Sequence, residues 1–289
     1  MATIGPASSA PEIIEEMIGS GLSICRLNFS HGSHEDHLKV IQTIKDLNKK
    51  LKTHVAILAD LQGPKLRIGH VKNHQIELRE RDAIHLVTQE CTSTPERLFV
   101  NYPELASDVK PGDSILIDDG KIHLEVTETN HIDTVHAIIR HGGILTSKKG
   151  VNLPNTKISQ PSLTDKDLRD ASFALENDVD WIALSFVRSA TDMADLRDLI
   201  RKKKKNTRMI AKIEKPEALK EIDNIIDVSN GIMIARGDLG VEVSFDQLPM
   251  IQKNIIQKCI NQAKPVIIAT QMMESMIEHF RPTRAETND

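Results

Sequence analysis

Four short stretches of this sequence place charged or hydroxyl side chains at the ends of otherwise apolar runs, and each could do chemistry. In CRLNFSHG, Arg26, Asn28 and Ser30 fall on one face of an extended strand, because strand side chains alternate, while Leu27 and Phe29 face the other way. In RMIAKIEKPE the same alternation groups Ile210, Lys212 and Glu214, setting a lysine beside a carboxylate. A structural ion pair is the plain alternative, but such a pair is costly to bury without purpose. In GIMIARGDLGVE the apolar run ends at Arg236-Gly237-Asp238, with Glu242 expected on the following loop. Gly237 and Gly240 there allow close backbone approach or positive φ. Glu214 and Asp238, ending neighbouring strands, offer the hard oxygen ligands that Mg2+ takes. In PVIIATQMMESM, Thr270 closes an apolar strand and presents a hydroxyl or a bound water, although an isolated threonine there is more often a helix cap. The histidines of HGSHEDH, at positions 31, 34 and 37, have no cysteine or acidic partner at zinc-finger spacing. Structural or solvated roles are expected for them, with His31 the nearest to a ligand.

The elements that would position these groups come in two kinds. SICRLNF, the helix-like DHLKVIQTIKDLNKKL and HVAILADL form an early strand–helix–strand block, with Leu38, Ile41, Ile44 and Leu47 as the apolar helix face. DWIALSFV, RMIAKIE, GIMIARG and PVIIATQ form a later one, each strand apolar on both faces as a helix-covered parallel sheet requires. From about Lys65 to Gln160 the pattern switches to period two, with turn signals at Asp119-Gly120 and His141-Gly142-Gly143. That predicts an antiparallel β insertion after the third strand, entered through Gly63-Pro64. Thr164, opening TDKD, is the expected cap of the helix that follows it.

Bulk composition excludes several functions. With 3% aromatic residues and a net charge of −4, the chain lacks the stacking rings and basic stripes of a nucleic-acid platform. The basic run from Lys202 to Lys205 reads as a solvated helix C-terminus. Three cysteines without framework spacing point to a reducing, cytoplasmic compartment. The opening MATIGPASSAPE has no signal-peptide pattern, and no apolar stretch approaches membrane-spanning length.

ATIGPAS, CRLNFSHG, DLQGPKLRIG, SKKGVNLP, KIEKPE, MIARGDLGVE, PVIIATQMMESM and RPTRAE, in this order, resemble the pyruvate kinase family along the whole chain. The resemblance implies an α/β fold, a (β/α)8 TIM barrel formed by residues 1–64 and 161–289. A mobile all-β lid, residues 65–160, would be inserted after the third strand. It implies transfer of a phosphoryl group from phosphoenolpyruvate to ADP, giving pyruvate and ATP, with Mg2+ or Mn2+ as cofactor. Glu214 and Asp238 resemble the divalent-metal ligands, and Lys212 the lysine that neutralises the phosphoryl in transit. Thr270 resembles the group that assists enolate protonation through water. The Ala235–Asp238 turn, Gly237 included, would hold the substrate carboxylate by backbone N–H groups. Arg26 and Arg67 resemble arginines that reach nucleotide and phosphate, and Asn28, His31 and Lys149 look like nucleotide contacts.

Two departures from the family pattern matter. Many members hold K+ with an Asn, a Ser, an Asp and a backbone carbonyl, the side chains resembling Asn28, Ser30 and Asp60 here, and read GPE where this chain reads Gly63-Pro64-Lys65. A lysine ammonium at that position can replace K+, so the expectation is activity without it. The barrel also counts only seven strands, one short of closure, which leaves an unpaired edge and suggests homo-oligomers, with a tetramer expected of the longer form. A chain that binds Mg2+ and phosphoenolpyruvate with little turnover is therefore the alternative. A different enolpyruvate-handling barrel, an aldolase or mutase, would need no nucleotide lid.

Overall fold

A computed structural model describes residues 1–154 and 156–288. Two compact units emerge. The first comprises Met1–Pro64, Pro161–Ile234 and Lys253–Ile268; the second comprises Lys65–Gln160, Ala235–Gln252 and the chain from Ala269 onward.

The strands, in chain order, begin with β1 (Ala2–Thr3), β2 (Ile24–Asn28) and β3 (Ala56–Asp60). Eight follow between residues 65 and 160: β4 (Gln75–Leu78), β5 (Ala83–Val87), β6 (Arg97–Phe99), β7 (Ser114–Ile117), β8 (Ile122–Thr129), β9 (Thr134–His141), β10 (Gly143–Thr146) and β11 (Val151–Asn152). The last four are β12 (Trp181–Leu184), β13 (Arg208–Ile213), β14 (Gly231–Ala235) and β15 (Val266–Ala269).

The first unit is built on one sheet of order β1-β2-β3-β12-β13-β14-β15. The pairs from β1 through β14 are all parallel. Apolar side chains cover both faces of the central strands: every residue of β14, and every residue of β13 after Arg208, is buried. That double burial is why these strands read as continuous apolar runs. Helix His34–Leu51 packs through Ile41, Ile44 and Leu47, whereas Leu38, on the same expected stripe, stays 44% exposed. Ser33 and Asp36 close a capping box at its start, and Thr164 with Asp167 closes another on helix Asp165–Glu176. Lys202 to Lys205 lie at the C-terminus of helix Ala190–Lys202 with Lys202 to Lys204 exposed, and Lys203 and Lys205 also lie 2.9 and 2.7 Å from Glu176 and Asp178.

In the second unit, residues 66–158 close their own apolar core around Ile84, Leu86, Leu98, Tyr102, Ile115 and Leu124. Its sheets run β11-β7-β8-β9-β5-β6 and β10-β4, antiparallel except for β5 with β6. Asp118 to Lys121 turn the β7–β8 hairpin. His141 to Gly143 do not turn a hairpin: the chain leaves β9 there and enters the other sheet, where β10 pairs with β4. A side chain at Gly142 would lie 2.2 Å from the Leu78 carbonyl oxygen, so this crossing needs glycine for close approach.

Candidate active site

The chemistry-bearing residues of the first unit form one charge-balanced cluster. Asp60 ends β3 and is 1% exposed. Its Oδ2 accepts from Arg26 Nε at 2.6 Å, with Arg26 Nη2 also at 2.6 Å, and its Oδ1 lies 3.1 Å from Lys212 Nζ. Lys212 Nζ donates to Ser185 Oγ at 2.7 Å and lies 3.0 Å from Glu214 Oε1. Two cations thus face two carboxylates, and Asp60 Oδ1, buried and without a hydrogen bond, meets the ammonium through charge alone. Burial disfavours the Lys212 charge, but Asp60 and then Glu214 outweigh it, so its pKa stands above the usual lysine value. Glu214 Oε2 accepts the Phe186 N–H at 2.7 Å. Phe186 takes φ 55°, the left-handed region, to aim that N–H inward.

The strand register produces this grouping. Asn28 is level with Asp60 across β2 and β3, and Asp60 with Ala183 across β3 and β12. Ser30 lies beyond β2, in a turn where its N–H bonds Asn28 Oδ1 at 3.1 Å. Asn28 Oδ1 and Asp60 Oδ2, from two of the residues that the resemblance assigns to a monovalent cation, thus already accept from protein donors. Asn28 and His31 line a cavity of about 750 Å3, shared with Ile4, Pro6, His37 and Lys39. His34 and His37 are structural: His34 lies 2.7 Å from Asp170 and stacks on Phe173, and His37 stacks on Phe29 with Nε2 3.0 Å from the His31 carbonyl. Burial holds the His37 pKa below its ordinary value.

A second constellation lies in the other unit. Arg236–Glu242 is a short helix, not a loop, and Glu242 is its buried last residue. Neither Gly237 nor Gly240 takes a positive φ; a side chain at either would crowd Thr270 or Leu248, so close approach is what glycine provides there. Gly237 N donates to Thr270 Oγ1 at 2.8 Å, and Arg236 Nη2 to the Thr270 carbonyl at 2.7 Å. Thr270 follows β15 at φ 72°, a strained conformation for a β-branched residue. Lys65 Nζ lies 3.0 Å from Asp238 Oδ1, Lys149 Nζ lies 2.8 Å from Asp118 Oδ1, and Arg67 Nη1 donates to the Lys148 carbonyl at 2.9 Å. Asn152 Nδ2 donates to Glu242 Oε1 at 2.9 Å.

Sequence reasoning missed Ser185, Asn152 and Asp118. Ser185 carried the signal used for its neighbours, a polar residue closing the apolar run DWIALSFV. Asn152 meets Glu242 and Asp118 meets Lys149, partners distant in sequence that no local pattern reveals. Among the described residues no group of three or more His, Cys, Asp or Glu is arranged for a metal ion. Glu214 and Asp238 each carry hard carboxylate oxygens, of which Mg2+ commonly takes one or two while water and substrate oxygens complete its shell.

A family model described as "Pyruvate kinase, barrel domain" matches residues 1–289. The chain belongs to the pyruvate kinase family. It is 44% identical over 290 residues to proteins named pyruvate kinase from Staphylococcus aureus strains MRSA252, USA300 and NCTC 8325, covering 100% of this chain and 50% of each relative. The chain thus spans about half the length of the curated relatives it matches. Among the described residues, no helix is long and apolar enough to cross a membrane.

Proposed function

We propose that this chain carries the phosphoryl-transfer chemistry of pyruvate kinase: phosphoenolpyruvate and ADP give pyruvate and ATP. The observation that carries the reading is the buried Arg26–Asp60–Lys212–Glu214 cluster at the ends of parallel strands, where α/β folds of this kind keep their ligands. Residues 65–160 act as the lid on a barrel made by residues 1–64 and 161–289. Three free cysteines fit a cytoplasmic setting, and burial pushes the Cys25 and Cys259 thiols up to about 11, which keeps them inert.

In transfer, the bond from phosphorus to the enol oxygen breaks and one to a terminal ADP oxygen forms. The enolate then takes a proton at its methylene carbon. Lys212, held as an ammonium, offsets charge on the moving phosphoryl oxygens, and Arg26 adds a second cation. Glu214 and Asp238 are the proposed ligands of Mg2+ or Mn2+, which supplies Lewis-acid stabilisation of phosphate oxygens when bound. Thr270 keeps its hydroxyl proton while accepting from Gly237, leaving it able to relay a proton through water. The Gly237–Asp238 backbone holds the substrate carboxylate. Asn28 and His31 take the nucleotide at their cavity, whose size suits one, and Arg67 and Lys149 are further proposed nucleotide contacts.

Asp60 already carries Arg26 and Lys212, and Lys65 brings a further ammonium, so K+ is dispensable. Ile277 and Phe280, each 83% exposed, support association into homo-oligomers, and they also favour the second reading, binding without efficient turnover. The test is pyruvate release from phosphoenolpyruvate, ADP and Mg2+ with K+ withheld. Turnover lost in Lys212→Met supports the proposal. Turnover that needs K+ removes the Lys65 role, and silence with K+ present favours the second reading.

A further inference from the structure

We propose that Lys65 is a displaceable internal counter-cation for Asp238, which a divalent metal ion must compete off before that carboxylate can ligate it. The inference rests on the reading of Asp238 as a metal ligand and adds a residue that sets how readily it binds. Lys65 Nζ sits 3.0 Å from Asp238 Oδ1, and the two side chains are only 29% and 23% exposed. A partly buried carboxylate gains from a charge partner, and the ammonium provides one while no metal is bound. The ammonium and a divalent cation would claim the same oxygen.

The surroundings confine the exchange to the lysine tip. Lys65 Cε passes within 3.7 Å of where a side chain at Gly150 would begin, so the backbone at Gly150 flanks the stem. Asp238 lies in the first turn of helix Arg236–Glu242. The far end of that helix is fixed independently: Glu242 accepts from Asn152, both residues buried, and Val241 packs toward Gly120. Losing the Lys65 contact therefore leaves the helix anchored, and one cation can replace another without moving it. The displaced ammonium is then free to meet an anionic phosphate, which would couple metal binding to phosphate binding.

The test combines trace acylation of lysines, read residue by residue by mass spectrometry, with direct Mn2+ binding followed by electron paramagnetic resonance. Saturating Mn2+ should raise Lys65 labelling several-fold in the unmodified sequence, a readout that needs no variant to fold. Lys65→Met should bind Mn2+ about 3- to 10-fold tighter, the range expected for removing a partly buried ion-pair competitor. If Asp238→Asn abolishes Mn2+ binding yet Lys65 labelling does not respond to the metal, the metal reading stands and the Lys65 inference falls. If Mn2+ binding is absent, or indifferent to Asp238→Asn, the metal reading itself falls and takes the inference with it.

Discussion

Replacing Asp60 by asparagine keeps the shape of the side chain and removes one of the two negative charges in the buried cluster. The cluster goes from neutral to a net charge of +1, with Arg26 and Lys212 facing Glu214 alone. Breaking a buried ion pair by removing one partner costs about 3–5 kcal/mol. The lower end applies here, because the Arg26 side chain is 22% exposed and can regain water, while Lys212 keeps Glu214 and Ser185. A loss of about 3 kcal/mol, with a urea m-value of roughly 3 kcal/mol/M, lowers the unfolding midpoint by about 1 M. The assay is urea unfolding followed by tryptophan fluorescence. The chain has one tryptophan, Trp181, and it lies on β12 of the same sheet, so the signal reports on the unit that holds the cluster. Lys212→Met alone leaves a net charge of −1, whereas the double variant Asp60→Asn/Lys212→Met is neutral again. Its loss should therefore fall short of the summed single losses by about 1–3 kcal/mol. A cost below about 1 kcal/mol for Asp60→Asn, or additivity within about 0.5 kcal/mol, would refute the argument that charge balance holds these strand ends together.

Three further outcomes follow from particular contacts. Gly63→Ala should lose about 2–4 kcal/mol in the same unfolding assay: Gly63 has φ +68°, and a Cβ there would sit 2.9 Å from both Phe186 and Ser185. Thr270→Ser keeps the hydroxyl that accepts from Gly237 and should retain most pyruvate formation, whereas Thr270→Ala should lower kcat about 10²-fold or more with little change in KM. Glu286 accepts from the N–H and hydroxyl groups of Ser275 and Thr283, with the Ser275 hydroxyl as the leading cause, and this lowers its pKa from 4.5 to about 2. A depressed carboxylate pKa stabilises the fold above its unfolded value. That contribution should fade as pH falls from about 4.5 toward 2, seen as a loss of amide-exchange protection at Ser275 and Thr283 relative to the intrinsic rate at each pH, and Glu286→Gln should abolish that loss.

The sequence alone carried the parallel strands, because strands buried on both faces must be apolar throughout, and that pattern is local. It also carried the β insertion, whose period-two alternation differs from its surroundings. Lys212 beside Glu214 was legible for the same reason: alternation puts residues two apart on one face, and the structure has their charged atoms 3.0 Å apart. Other features were decided by tertiary structure. Leu38 satisfies the apolar stripe of its helix, yet the fold leaves it 44% exposed. His141-Gly142-Gly143 has the composition of a hairpin turn, yet which strand β10 joins depends on β4, more than sixty residues earlier. Arg236–Glu242 contains two glycines and reads as a loop. It forms a helix whose two ends are paired with Lys65 and Asn152, residues that sequence spacing could not bring to it. Residue type announces which groups can carry charge or donate protons. Only the folded chain determines which of them meet, because a contact between residues far apart in sequence is fixed by the packing of the elements that carry them.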